Sequence, residues 1–261
     1  MLQEITAHLS HLPLGLIEYH PTVGSTNDLA AERLESGSPD LTLIVADEQT
    51  AGRGRMGRRW HTPPGAALAF SLVLRPAPAT PLWTHAPLGA LAVHSALTGG
   101  YGLPAEIKWP NDVLVGGRKV CGILAEAHWQ GDRLGGVVLG IGVNVVPEAV
   151  PPGDLTFPAG SVAGELGRAG GAATGPAPTV DRWALLAGIL SALLDWRAKI
   201  GSPDFLQAWE SRLAYRGREV VVGEQRGILA GLAPEGALRL QTEAGEIAIP
   251  AGELSLRPVE T

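Results

Sequence analysis

Apolar and polar positions change their period along this chain in a way that divides it into two textures. Behind the polar cap Ser25-Thr26-Asn27-Asp28, the apolar positions Leu29, Ala30 and Leu34 recur at helical spacing and predict a first helix. The continuous apolar runs 41–46 and 65–75 each predict a buried strand, with a Gly/Arg loop slung between them and closed by Pro63-Pro64. The stretch 83–97 has helical periodicity, and 105–109 predicts a short strand. The stretches 112–129 and 133–146 predict antiparallel strands, the first broken at Gly116-Gly117, a two-residue hairpin signal. The Gly, Ala and Pro-rich stretch 147–178 predicts a long loop around a short helix near Ser161 to Leu166, and 181–200 and 203–215 predict two further helices. Beyond Tyr215 the helical period is lost. Short strands at 218–223, 226–232, 236–242 and 245–250, separated by Gly-containing turns, predict a small β-barrel. The fold class is therefore α+β: a mixed central sheet with helices against it over residues 1–214, then a small barrel over 215–261.

Composition narrows the function classes. The chain has 261 residues and a formal net charge of −6, which argues against general affinity for nucleic acid and so against DNA as a partner. The longest apolar run, Trp183 to Leu194, is well short of the roughly 20 residues that span a bilayer. The single Cys121 reads as a small buried hydrophobe. With no charged-then-apolar leader after Met1, the expected compartment is the cytoplasm. The distribution of charge says more than its total. From Gln49 to Ala105 there is no Asp or Glu, while Arg53, Arg55, Arg58, Arg59 and Arg75 all fall there, a local basic field suited to a small anionic ligand.

Three segments carry candidate chemistry. In the first, Gly52, Gly54 and Gly57 have G-x-G-x-x-G spacing. A dinucleotide site is disfavoured because His61-Thr62-Pro63-Pro64 blocks the following helix and no acid occurs before Glu106. The loop can fold over phosphate through backbone N–H groups and guanidiniums, or it can be a solvated basic loop. Without an anion its arginines are expected to lack partners and to repel one another. In the second segment, 108–126, Lys108 and Lys119 can neutralise phosphate or carboxylate, and Asp112 can hold a metal or accept a proton. Pro110-Asn111-Asp112 is equally an ordinary turn. In the third, Gly140 and Gly142 sit inside a strand, where glycine weakens the strand unless something approaches its backbone, and Asn144 shares their face.

Taken together, "STND" at Ser25, "GRGRMGRRW" at Gly52, "KWPND" at Lys108, "GRKVCGILAE" at Gly117, "LGIGVNV" at Leu139 and "GELSLR" at Gly252 resemble the ordered motif set of the biotin–protein ligases, from about Tyr19 to Arg257. The resemblance implies a class II synthetase-like, biotin–lipoyl ligase-like sheet followed by a Src-homology-3-like barrel. It implies joining of biotin and ATP as biotinyl-5′-AMP, then transfer to a lysine of the biotin carboxyl carrier domain of acetyl-CoA carboxylase or a related carboxylase. It places Ser25, Thr26, Asn27, Gln49, Gly52, Arg53, Gly122, Leu124, Gly140 and Gly142 around biotin, with Ser25 or Thr26 equally able to serve as a helix cap. Arg58, Trp60, Lys108, Asn111 and Arg257 fall on the nucleotide side, with Trp60 stacking on adenine and Asn144 facing the nucleotide or its Mg²⁺. Arg55 and Lys119 touch both substrates, and Lys119, Arg55 and Asp112 are the catalytic set, Asp112 taking a proton from the incoming lysine. Fewer than 25 residues precede Ser25, which suggests the ligase-only type without an N-terminal operator-reading domain; a homodimer is compatible with the pattern. The alternatives are a lipoate–protein ligase of the same superfamily and a non-catalytic biotin-responsive regulator.

Overall fold

The structure is a computed structural model, and it describes every residue except 78, 154, 156, 172–177, 252–255 and 260–261. In chain order the elements are α1 (Leu2–Leu9), β1 (Ile17–Val23), α2 (Thr26–Glu35), β2 (Thr42–Gln49), β3 (Ala67–Leu74), α3 (His85–Tyr101), β4 (Ala105–Lys108), β5 (Asp112–Val115), β6 (Arg118–Gln130), β7 (Arg133–Asn144), α4 (Val162–Ala169), α5 (Arg182–Arg197) and α6 (Pro203–Ser211). A second group follows: β8 (Glu219–Val222), β9 (Gln225–Leu232), β10 (Leu238–Thr242), β11 (Gly245–Ile249) and β12 (Leu256–Pro258).

Strands β1 to β7 form one mixed sheet in the order β1-β2-β3-β7-β6-β5-β4, parallel only between β1 and β2. Side chains alternate between its faces. Leu43, Val45, Leu72 and Leu139 enter the large core shared with α3 and α5, while Ile44, Val73 and Val138 pack with Ala30 and Leu34 of α2 on the other face. Coverage on both faces explains why all eight residues of β3 are buried and why its sequence is an unbroken apolar run but for Ser71. Helix α2 covers only part of its face. Two residues on from Val138, the same alternation presents Gly140, then Gly142 and Asn144, and these positions are left for the site.

The expected hairpin forms: Gly116 and Gly117 have φ of 54° and 74°, the pair of positive values that a tight two-residue turn requires. Three expectations are corrected. The helix after Ser25 is the second, since α1 precedes it with only Ile5 and Leu9 buried, a stripe too thin to show as a period. Strand β1 escaped notice because it is a half-buried edge interrupted by Pro21. Helix α6 stops at Ser211, and the next residues run beside β4, where Ile107 N–H donates to Arg212 O at 2.7 Å and Ala214 N–H to Ile107 O at 2.9 Å.

The second sheet is antiparallel, in the order β11-β10-β9-β8-β12. Of the expected last strand, 252–255 lie outside the described residues and 256–258 form β12. The turn between β9 and β10 seats on residues that flank the first sheet. Trp109 Nε1 donates to Gly236 O at 3.3 Å, and Gly236, at φ 77°, lies against the stacked pair Trp83 and Trp209, where a Cβ would collide with Trp83. Among the described residues, no helix is long and apolar enough to cross a membrane.

Candidate active site

The uncovered part of the sheet face is the floor of a cleft of about 270 Å³. Its lining comes from the start of α2, the end of β2, the Arg53–His61 loop, the Lys108–Asp112 turn, the facing positions of β6 and β7, and the stretch after β7. All the residues singled out from the sequence line it except Gly52 and Arg257. Gly52 lies buried at the base of the loop, where a Cβ would strike the backbone of Trp60; Arg257 is exposed on β12, opposite Val221.

One end of the cleft is neutral and densely hydrogen-bonded. Gln49 Oε1 accepts from the backbone N–H of Thr26 at 2.8 Å and from its hydroxyl at 3.1 Å, while Gln49 Nε2 donates to Thr62 at 3.0 Å. The Ser71 hydroxyl lies 2.8 Å from Thr26 Oγ1 and 2.6 Å from Asn27 Oδ1. Ser25 precedes α2 in an extended conformation and its side chain makes no capping bond, so the cap reading gains no support there. Ser71 and Thr62 were missed in the sequence; the one polar residue inside an otherwise apolar β3 was the available signal.

The other end is charged. Register pairs Lys108 with Asp112 across the turn, and the Asp112 carboxylate receives Lys108 Nζ on one oxygen at 3.0 Å and Lys119 Nζ on the other at 2.6 Å. Burial alone would raise the Asp112 carboxyl, but the charges of Lys119 and Lys108 together outweigh it and hold it below the usual range. Burial lowers the Lys108 ammonium, against the opposing pull of Asp112. Lys108 also sits 4.6 Å from the centre of the Phe157 ring, and Lys119 5.4 Å from that of Trp60.

Between the ends lie the glycines. The clearance above Gly140 is taken by Asn27 and that above Gly142 by the Trp60 indole, so side chains of the protein itself use the space that the sequence reading reserved for a ligand. A wall the sequence did not reveal is formed by Ala149, Pro151, Leu155, Phe157 and Ala159. It is fastened by Lys119 N–H to Pro158 O at 2.8 Å, Gly160 N–H to Lys119 O at 2.9 Å and Asn144 Nδ2 to Gly160 O at 3.0 Å. Its aperiodic composition gave no signal.

The basic loop closes the cleft. Its base is a small ladder, with Gly54 N–H to Arg58 O at 2.7 Å and Trp60 N–H to Gly52 O at 2.9 Å. The expectation that its arginines lack partners is corrected. Arg53 grips Glu126 through two bonds of 2.7 and 2.8 Å and reaches Asp28 at 2.8 Å, and Arg55 donates to Asn111 Oδ1 at 2.8 Å. Arg58 lines the cleft, close enough to Lys108 for their charges to oppose.

The sequence profile of the Biotin/lipoate A/B protein ligase family matches residues 19–144. A biotin–[acetyl-CoA-carboxylase] ligase of Paracoccus denitrificans is 38% identical over 244 residues, 88% of this chain and 96% of its own. A bifunctional ligase/repressor of Bacillus subtilis is 34% identical over 253 residues, 91% of this chain and 73% of its own. Among solved structures, the biotin protein ligase of Aquifex aeolicus in complex with biotin and ATP superimposes with a TM-score of 0.77 at 31% identity, covering 94% of this chain and 99% of that one.

Proposed function

The chain belongs to the biotin protein ligase family, and on that premise we propose that its cleft joins biotin to ATP as biotinyl-5′-AMP and then passes the biotinyl group to a lysine of a biotin carboxyl carrier domain. The observation that carries this reading is the polarity of the cleft, with a neutral hydrogen-bonding end, an end where two lysines share one carboxylate and leave a net positive charge, and an arginine loop above. Biotin has the matching polarity, a neutral ureido ring at one end and a carboxylate at the other. Lipoate, which shares the chemistry, ends in a dithiolane that offers nothing to the Thr26, Gln49 and Asn27 network.

In the first step a carboxylate oxygen of biotin attacks the α-phosphorus, the bond to the bridging oxygen breaks, and pyrophosphate leaves with the electron pair. Two anions meet, and we assign Lys119 and Lys108, both held by Asp112, to the charge that gathers there. In the second step the acceptor amine attacks the acyl carbon and AMP departs. Asp112 has both oxygens engaged by lysines and a lowered proton affinity, so we assign it the holding of those lysines rather than the uptake of the acceptor's proton.

The donor set does not fit a Mg²⁺ held by the protein. Asp112 is committed to two ammonium groups, Asn144 supplies one neutral amide oxygen, and the described residues gather no group of three His, Cys, Asp or Glu. Mg²⁺ would accompany ATP on its own phosphates. Incubation with ATP, a carrier domain and either biotin or lipoate, followed by intact mass measurement, tests the proposal. A biotinyl adduct on the carrier is expected, and a lipoyl adduct alone, or no pyrophosphate release with biotin, refutes it.

A further inference from the structure

Strand β6 turns Gly122, Leu124 and Glu126 to one face by simple alternation. The first two line the cleft; Glu126 is the next position outward and lies beyond it. Its carboxylate nevertheless carries three hydrogen bonds. Both oxygens take the planar fork of Arg53, at 2.7 and 2.8 Å, and Oε2 also accepts from Asn27 Nδ2 at 2.6 Å. Asn27 Nδ2 reaches Leu124 O as well, at 3.4 Å, and its Oδ1 faces Ser71. One carboxylate therefore ties the basic loop to the residues that order the neutral end of the cleft. Asp28, one residue on from Asn27, supplies the second anchor of Arg53 at 2.8 Å. A neutral amide at position 126 could accept from Asn27 but not from both arms of Arg53, because one of its two heads is a donor.

We propose that Glu126, seconded by Asp28, is a positioning residue that holds the loop shut over the adenylate, so that the reactive intermediate stays on the enzyme until the carrier lysine arrives. This rests on the ligase reading above. An intermediate that escapes is not inert. A bystander lysine amine attacks its acyl carbon, the acyl–oxygen bond breaks, AMP leaves with the electron pair, and the amine gives up a proton to water.

The test compares wild type, Glu126→Gln, Glu126→Asp and Asp28→Asn. Each is given biotin and ATP with pyrophosphatase but no carrier, and both the pyrophosphate released in the first turnover and the biotin fixed on serum albumin are measured. Glu126→Gln is expected to form adenylate within about twofold of wild type but to release it about fivefold faster, the scale of one partly exposed ion pair of about 1 kcal/mol. Glu126→Asp, which keeps the charge, falls between, and the exposed Asp28→Asn gives a smaller rise of the same sign. Release at the wild-type rate in Glu126→Gln overturns the proposal, and so does loss of adenylate synthesis in a variant that melts like wild type. If Glu126→Gln does not fold, Asp28→Asn decides alone, unchanged release overturning the proposal. Absence of pyrophosphate release from the wild type with biotin defeats the ligase reading instead, so the two failures are distinct.

Discussion

Two sets of cations surround the cleft, and they are held in opposite ways. Lys108 and Lys119 share a carboxylate whose side chain is 11% exposed, and Lys108 itself is 6% exposed while Lys119 reaches the cleft at 25%. Arg53 is 41% exposed and pairs with Glu126 at 28% and Asp28 at 56%. Charges in the sealed arrangement are poorly screened, interact strongly and stay where the sheet places them. Pairs in the open arrangement are worth about 1 kcal/mol or less and exchange readily with water. The difference separates two duties. The lysines form a standing electrostatic environment for a reaction, and the arginines form a closure that can be undone each cycle.

The sharpest way to break this comparison is Lys119→Gln. If the lysines held by Asp112 carry the reaction, adenylate formation falls by about two to three powers of ten, the scale of a preorganised charge at a transition state. Single-turnover pyrophosphate release checks this, and a loss below tenfold would put the lysines on a level with the arginines.

Asp112→Asn comes next. It leaves two lysines without their counter-charge, and the free energy of urea unfolding should drop by about 3 kcal/mol, as when one partner of a buried pair is removed. The acid limb carries a second signature. With the Asp112 pKa depressed below its ordinary value of 3.8, its contribution is present above that pH and is lost as the pH falls through the lower folded value. Acid unfolding below about pH 4 should accordingly be shallower in the variant than in the wild type.

Arg55→Gly acts on the other set. It removes the bond to Asn111 and adds backbone freedom to a loop already carrying Gly52, Gly54 and Gly57. Synthesis of the adenylate should persist in part while biotin fixed on serum albumin rises about tenfold, as expected when a closing segment loosens. The smallest effect is that of salt. Raising ionic strength tenfold at saturating substrates should leave first-turnover pyrophosphate release within about twofold and increase albumin labelling about threefold, because only exposed pairs are screened.

How much of this was legible in the sequence follows from the same physics. Alternation and apolar runs report burial, so β2, β3, β6 and β7 were visible, as was the hairpin at Gly116-Gly117. The motif residues predicted most of the cleft because each comes from a short local segment. Partners fixed only by tertiary approach were not visible: Glu126 opposite Arg53, Ser71 beneath Thr26, and the wall of Ala149, Pro151, Leu155, Phe157 and Ala159. Likewise, the spacing of Gly140 and Gly142 indicated that something comes close to the strand, but not that Asn27 and Trp60 would be what does so.

The seating of Trp109 on Gly236 has a consequence for how the enzyme is made. The two residues are 127 positions apart, and Lys108, beside Trp109, belongs to a strand whose outer neighbour, Leu213, is also made late. At a synthesis rate of roughly 5–20 residues per second, the delay between Trp109 and Gly236 is on the order of 6–25 s. Through that interval a nascent chain already carries its basic loop and acquires the glycines of β6 and β7, while the Lys108 segment lacks the support of both late partners. Chains arrested on the ribosome before and after Gly236 should differ in protease cleavage near Trp109. Where that difference is found, a polypeptide still being synthesised lacks a completed activation centre, and production of an acylating agent beside the translation machinery is deferred until that glycine has emerged.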